Sequence, residues 1–330
     1  MSNSVDLPTH LLMGDPRHGV RVYAAGLANV LGAPSTTWID PDRPPRAVHL
    51  HLTDRILAAD PAAAADLVEQ LATRTRLTLT AHDVPQPTDG RGFAERCAAY
   101  RRMLGAAHAW VTNSHHERRL VLEHCDLGDG GVGGGGVVPL PVIAPDTLPA
   151  ARTVVRGPTV GLFGHVYPGK GHVEAVEAVS RLRGPGRSAT VLLIGGPGPG
   201  HEDEVDRLRV RARDLDVGLH VTGWLDDDLA LATMRGATVP LTGHRNVSAS
   251  GSINSWVAAG RRPLVRDNAY ARELEQLRPD AHHVYRDSEL VDELERSLAD
   301  PSRTWRTGTD APGPDLRDVA RRYVEWWASL

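Results

Sequence analysis

Short apolar runs alternate with longer amphipathic ones along the whole chain, and the rhythm stops and restarts once near the middle. Such alternation predicts parallel strands covered by helices on both faces, since a parallel pair needs a crossover connection between its strands. In the first half, strands are expected at His10–Met13, Thr36–Ile39, Ala47–Leu52, Arg76–Ala81, Ala109–Asn113 and Val137–Leu140, with helices near His18–Leu31, Pro61–Ala72, Gly92–Leu104 and Ser114–His124. Pro61 suits a first helical turn and Ser114 an N-cap. The glycine-rich stretch Gly128–Gly136 predicts a mobile surface loop, and the proline-bearing stretch Ile143–Pro158 an interdomain linker.

After the linker the pattern begins again. Strands are expected at Thr159–Phe163, Ala189–Ile194, Leu219–Thr222, Ala237–Leu241 and Pro263–Arg266. Helices are expected at Gly171–Leu182, Glu202–Leu215, Asp227–Arg235, Ser250–Ala259 and Ser288–Leu298. At 330 residues the length also favours two domains. The expected division is residues 1–145, a linker at 146–157, and residues 158–314. In the tail, Leu316, Val319, Tyr323, Trp326, Trp327 and Leu330 recur at near-helical spacing, so residues 315–330 form a helix that buries one face.

The 37 basic residues comprise one lysine, Lys170, and 36 arginines. Arginine is a planar fork of five donors and lysine a compact point charge, so a lone lysine marks a place where the fork does not fit. Lys170 lies in Gly164-His165-Val166-Tyr167-Pro168-Gly169-Lys170-Gly171, directly after the apolar run Thr159–Phe163. Strand, glycine-rich turn and helix start is a phosphate-binding arrangement, because backbone N–H groups and the helix N-terminus attract anions. At the helix start the lysine is expected to face solvent. The spacing also satisfies a P-loop, yet Gly171 stands where Ser or Thr would ligate Mg²⁺, which argues against a nucleoside-triphosphatase.

Other features exclude more than they establish. A net charge of −4 gives no reason to expect nucleic-acid binding. Cys97 and Cys125 read as free thiols of a reducing compartment. The start of the chain is unlike a signal peptide and no apolar run is long enough to span a bilayer, so a cytoplasmic location is expected. Asp226-Asp227-Asp228 has the Asp-x-Asp spacing of metal-dependent transferases, but three acids at a helix start also suit the helix dipole, and no metal or other cofactor is expected. His115, His116 and His124 lack a nearby set of zinc ligands.

Over residues 160–265 four motifs occur in a known order: Phe163-Gly164 through Lys170-Gly171, then Leu192-Leu193-Ile194-Gly195-Gly196, then Val221-Thr222-Gly223-Trp224, then Ala258-Ala259-Gly260 before a Pro-Leu-Val strand. In this the chain resembles the retaining glycosyltransferases of family 4, which have the GT-B fold of two Rossmann-like domains facing each other across a cleft. Weaker matches in the first half are His18-Gly19-Val20, Thr80-Ala81-His82-Asp83 and Val111-Thr112-Asn113-Ser114.

The resemblance implies transfer of a sugar from a nucleotide-diphosphate donor to an acceptor hydroxyl of a small molecule, glycan or lipid-linked compound. It implies donor-diphosphate contacts from Gly164, His165, Gly169, Lys170, Gly171, Ser250, Gly251, Ser252 and Ile253. Gly195, Gly196, Gly223, Trp224 and Ser255 fall on the nucleoside side, and His18, Gly19 and Asp83 on the acceptor side. Lys170 would stabilise the leaving diphosphate and His82 would hold the sugar hydroxyls. The last helix of such enzymes crosses back to the first domain. Two departures stand out. His165 occupies the place of the usual arginine, and the family's pair of glutamates has no counterpart in Asn246–Ser255, where Ser255 is the nearest match to the second. A GT-B module that binds without transferring sugar is the rival expectation.

Overall fold

The computed structural model describes residues 6–127, 135–184, 188–198, 200–247, 249–307 and 312–330. Most of the expected loop Gly128–Gly136 lies outside them. The chain forms two compact units, one reaching to Pro141 and taking in Pro314–Leu330, the other Val142–Gly313.

In the first unit, strands β1 (Thr9–Leu11), β2 (Ser35–Thr36), β3 (Ala47–Leu52), β4 (Arg76–Ala81), β5 (Ala109–Thr112) and β6 (Gly136–Val137) form one parallel sheet in the order β2-β1-β3-β4-β5-β6. Helices α1 (Gly19–Leu31), α2 (Asp54–Leu57), α3 (Pro61–Ala72), α4 (Phe93–Ala106) and α5 (His115–His124) connect them. Pro61 occupies the first turn of α3, whose N-cap Asp60 accepts from the Ala63 N–H; Ser114 caps α5 through the Glu117 N–H. Helices α3 and α4 bury Val68, Tyr100 and Met103 against Leu50, Leu77 and Leu79 of the sheet.

The C-terminal helix α12 (Leu316–Ala328) completes this unit, burying Val319, Tyr323 and Trp327 against Tyr23 and Leu27 of α1 and Val111 of β5. Asp315 caps it by accepting from the Asp318 N–H at 2.8 Å.

The second unit has β7 (Thr159–Phe163), α6 (His172–Ser180), β8 (Thr190–Ile194), α7 (Glu204–Asp214), β9 (Gly218–Val221), α8 (Asp227–Gly236), β10 (Val239–Thr242), α9 (Gly251–Ala258), β11 (Leu264–Arg266), α10 (Ala269–Leu277), β12 (His283–Tyr285) and α11 (Leu290–Ala299). Its parallel sheet runs β12-β11-β10-β7-β8-β9. The order reverses between β7 and β10, and in open α/β sheets ligands bind outside the carboxyl ends of the strands at such a reversal. Residues 142–158 belong to this unit, where Val142 packs with Val257 and the Arg152 N–H donates to the Ala232 carbonyl. Helix α10 and strand β12 were not expected from the sequence. Asp226 is the N-cap of α8, accepting from the Leu229 N–H at 2.8 Å, so the acidic triplet does start a helix.

Candidate functional site

The loops after β7 and β10 meet at the reversal of the second sheet. Gly164 (φ +102°), Gly169 (φ +85°) and Gly171 (φ +94°) all take left-handed backbone, which lets the loop turn back before α6 begins. Two of them also permit close approach. A Cβ on Gly171 would stand 2.5 Å from the Gly243 Cα, and one on Gly164 would stand 2.6 Å from Lys170 Nζ. The Arg245 N–H donates to the Gly169 carbonyl at 3.0 Å and ties the two loops together.

Lys170 is therefore not solvent-facing, as its place at a helix start implied. Only 7% of it is exposed, because the loop after β10 arrives from more than seventy residues away and covers it. Among the described residues no carboxylate pairs with it; its nearest aromatic is Tyr167, whose ring centre lies 5.3 Å from Nζ. Burial alone brings the Lys170 ammonium down to about 7. Against its ordinary value this is a penalty on the order of 5 kcal/mol for holding the charge in the empty site.

Two residues that the sequence did not single out adjoin it. His172 opens α6 and His244 follows β10, and both are buried. Burial first, and the Lys170 charge second, hold each imidazole at about 3. Nδ1 of each is buried without a hydrogen-bond partner among the described residues. The neighbouring acid is already taken: Glu174 accepts from Arg245 Nε at 2.6 Å. Three basic side chains thus share a buried site with no counter-charge among the described residues, an arrangement that favours an anion.

The other sequence candidates of this unit fall into distinct roles. Ser250 caps α9: its Oγ accepts from the Ile253 N–H at 3.4 Å and lies 3.0 Å from Ser252 Oγ. Ile253 is buried with that amide engaged, which leaves Gly251 and Ser252 as the open turn of the helix start. Ser255 Oγ donates back to the Gly251 carbonyl at 2.9 Å. Gly195 (φ +141°) ends β8 directly against the Gly164 carbonyl, and its N–H donates to Thr222 Oγ1 at 3.1 Å. Gly223 (φ +69°) turns the chain into Trp224, which is 57% exposed and lies edge-on to His165 at 4.6 Å between ring centres. A Cβ on Gly196 would stand 2.9 Å from Trp224 Nε1, so the indole lies directly on that glycine.

In the first unit His18 is the N-cap of α1, its Nδ1 accepting from the Val20 N–H at 3.3 Å, with Gly19 as the first helical residue. His82 follows β4 and is buried. Its Nδ1 accepts from Asn113 Nδ2 at 3.0 Å, which puts the ring proton on Nε2, 3.1 Å from His51 Nδ1. In this arrangement both ring nitrogens of His82 are engaged within the unit. Asp83 takes a left-handed conformation (φ +47°), and its carbonyl and carboxylate accept from Arg96 Nη2 at 2.6 and 3.3 Å. Arg96 also grips Asp54 with two hydrogen bonds of 2.8 and 2.9 Å.

His82 is one end of a larger cluster. His10 of β1 and His49 of β3 are register partners, and His51 lies two residues further on the same face. The rings stand beside Tyr23 of α1 and Tyr323 and Trp327 of α12. His49 is satisfied by Thr78 and Thr80 at 2.9 and 3.0 Å, whereas neither nitrogen of His10 has a partner among the described residues.

Neither a known sequence family nor a curated protein matches the chain. Solved structures do. The Anabaena protein Alr3699/HepE, in complex with UDP and glucose, is similar over 99% of this chain and 100% of its own, with a TM-score of 0.75 at 14% identity. An α,α-trehalose 6-phosphate synthase from Burkholderia multivorans is similar over 86% of this chain and 71% of its own (TM-score 0.63, 13% identity). A sucrose-phosphate synthase from Thermosynechococcus elongatus is similar over 84% and 68% (TM-score 0.58, 17% identity). These neighbours are GT-B glycosyltransferases, and the two α/β units of this chain, each on a six-stranded parallel sheet, have the GT-B fold.

Proposed function

We propose that the chain is a glycosyltransferase that moves a hexosyl group from a nucleotide-diphosphate sugar to an acceptor hydroxyl. The observation that carries this is the buried Lys170, without an acidic partner among the described residues, at the reversal of the second sheet and walled by Gly164, Gly171 and Gly243. As the bond between the sugar and the diphosphate breaks, its electron pair passes to the phosphate oxygen. A charged Lys170 and the open turn at Gly251 and Ser252 stabilise that oxygen more than they stabilise the intact donor. The acceptor hydroxyl attacks the same sugar carbon from the vacated face and gives its proton to the leaving phosphate. This is the retaining course of the family 4 resemblance. It calls on no metal ion, because Lys170 supplies the positive charge and Asp226 is spent on a helix cap.

Trp224, exposed beside His165 at the carboxyl end of the sheet, is assigned to the nucleoside as a stacking face. The HepE complexes contain UDP and UDP-glucose, so uridine donors are the first to try. Thermal-shift and calorimetric titration with UDP, GDP, dTDP and ADP, followed by hydrolysis of the matching nucleotide sugar, tests the proposal. Failure of all four to bind refutes it.

One observation favours a module that binds without transfer. Asn246–Ser255 contains no acid, Ser255 Oγ is turned onto its own helix, and Asn254 Oδ1 accepts from Arg278 Nη1 at 2.6 Å. Tight binding of a diphosphate with no turnover of any nucleotide sugar would establish that alternative.

A further inference from the structure

Lys170, His172 and His244 form a buried site of three basic side chains that carries little charge above about pH 7, and the charged groups described around it are paired elsewhere. On the β7 loop the neighbours are Tyr167 and His165, neither of them an acid. On α6, Glu174 is paired with Arg245 from the loop after β10. From β12, Tyr285 comes up against Gly243, and burial lifts its hydroxyl above the ordinary range, so it too is uncharged. No described carboxylate is left to hold a proton on Lys170.

The histidines have the same character. The His172 ring is hydrogen-bonded to the Tyr167 backbone, and its Nδ1 has no partner among the described residues. With the ring proton on the bonded nitrogen, Nδ1 presents a lone pair, which repels a phosphate oxygen unless a proton sits between them. A polyanion entering this site meets one neutral amine and two neutral imidazoles.

We infer that a nucleoside diphosphate does not bind a preformed positive charge here but brings a proton in with it, taken up by Lys170 between His172 and His244. The inference rests on the diphosphate assignment above. Once the phosphates supply the missing counter-charge, the ammonium regains its ordinary proton affinity. Affinity then falls as pH rises above about 7, where the empty site is neutral. The ligand itself contributes little there, since the second ionisation of a terminal phosphate lies near pH ~6.

The test is calorimetric titration of the intact protein with UDP, GDP, dTDP and ADP at pH 8, in two buffers of different ionisation enthalpy. The expected result is uptake of about 0.9 proton per bound nucleotide at pH 8, and a Kd that weakens close to tenfold between pH 8 and pH 9. In Lys170→Met, which keeps the stem but has no head group to protonate, uptake at pH 8 should vanish and the weakened Kd should stay flat over that interval. Binding with the same enthalpy in both buffers and a pH-independent Kd overturns the inference and leaves the diphosphate site standing. No binding of any of the four nucleotides removes the diphosphate site itself.

Discussion

Lys170 Nζ lies 2.6 Å from the point that a Cβ on Gly164 would occupy, so the lysine head and the glycine backbone share one space. Gly164 is thus needed twice over: for its left-handed φ of +102° and for the room it leaves the ammonium. Gly164→Ala should therefore weaken nucleoside-diphosphate binding as much as Lys170→Ala does. One charge-assisted contact is worth about 1.5–3 kcal/mol, or roughly 10- to 150-fold in Kd. The double variant should lose little beyond either single one, and calorimetric Kd values for the three settle it. Fully additive losses would mean that the two positions act separately.

Hydrolysis of a nucleotide sugar without acceptor, and its transfer with one, should persist in EDTA. Lys170 is assigned the charge, and among the described residues no group of three His, Cys, Asp or Glu side chains is arranged to hold a metal ion. The check is initial rate with and without chelator. Loss of activity that Mg²⁺ or Mn²⁺ restores would contradict the assignment.

The buried histidines of the first unit predict a steep acid limb in stability. Burial holds His10 at about 4 and His82 at about 3, and holds His49 and His51 well below the ordinary value. Above about pH 6.5 both folded and unfolded chains carry these rings neutral. As pH falls the unfolded chain takes up protons first, so stability is lost between about pH 6.5 and pH 4. His10 alone accounts for roughly 3 kcal/mol at pH 4. His10→Leu, which removes two unpartnered ring nitrogens, should leave stability at pH 7 unchanged or raised and should flatten the acid limb. Denaturant melts at pH 7, 5.5 and 4 would show it; parallel acid limbs in parent and variant would not fit.

Arg96 and Asp54 are both buried, and together with Asp89 and the Asp83 carbonyl they fix the turn after β4. Arg96→Met leaves the Asp54 carboxylate buried without its main partner, and should cost about 3–5 kcal/mol. Asp54→Asn in the same chain should recover part of that loss, because the uncompensated charge is gone. Urea melts of both variants distinguish a charge effect from simple loss of packing, for which the second change would bring no recovery.

The strands and the glycine turns were legible because each rests on a local signal. A short run rich in apolar and β-branched residues reads as a strand wherever it occurs, and Ala47–Leu52, Arg76–Ala81 and Thr159–Phe163 fall as expected. Strand β12 was missed since His283–Tyr285 is only three residues long and half polar; helix α10, capped by Asn268, had been passed over with it. Lys170 was found by its rarity, but its burial depends on Gly243, which no local pattern connects to Gly171. His172 and His244 escaped for the same reason, as each is an ordinary residue until the two loops meet. His49-x-His51 did carry a usable signal. Period-two histidines within an apolar strand of a sheet covered on both faces must be buried on the side opposite Leu50.

Helix α12 closes the first unit although it is made after the whole of the second. The ribosome finishes every strand of the second sheet before it releases the residues that cover His10, His49 and His51. For roughly ten to forty seconds, at ~5–20 residues per second, the earlier sheet waits with one face bare. The later-made half is thus the first that can mature. A nonsense mutation or a proteolytic nick just before Pro314 would harm the first unit rather than the second. In a cell, such damage would register as aggregation of the first unit, with the loop around Lys170 still intact.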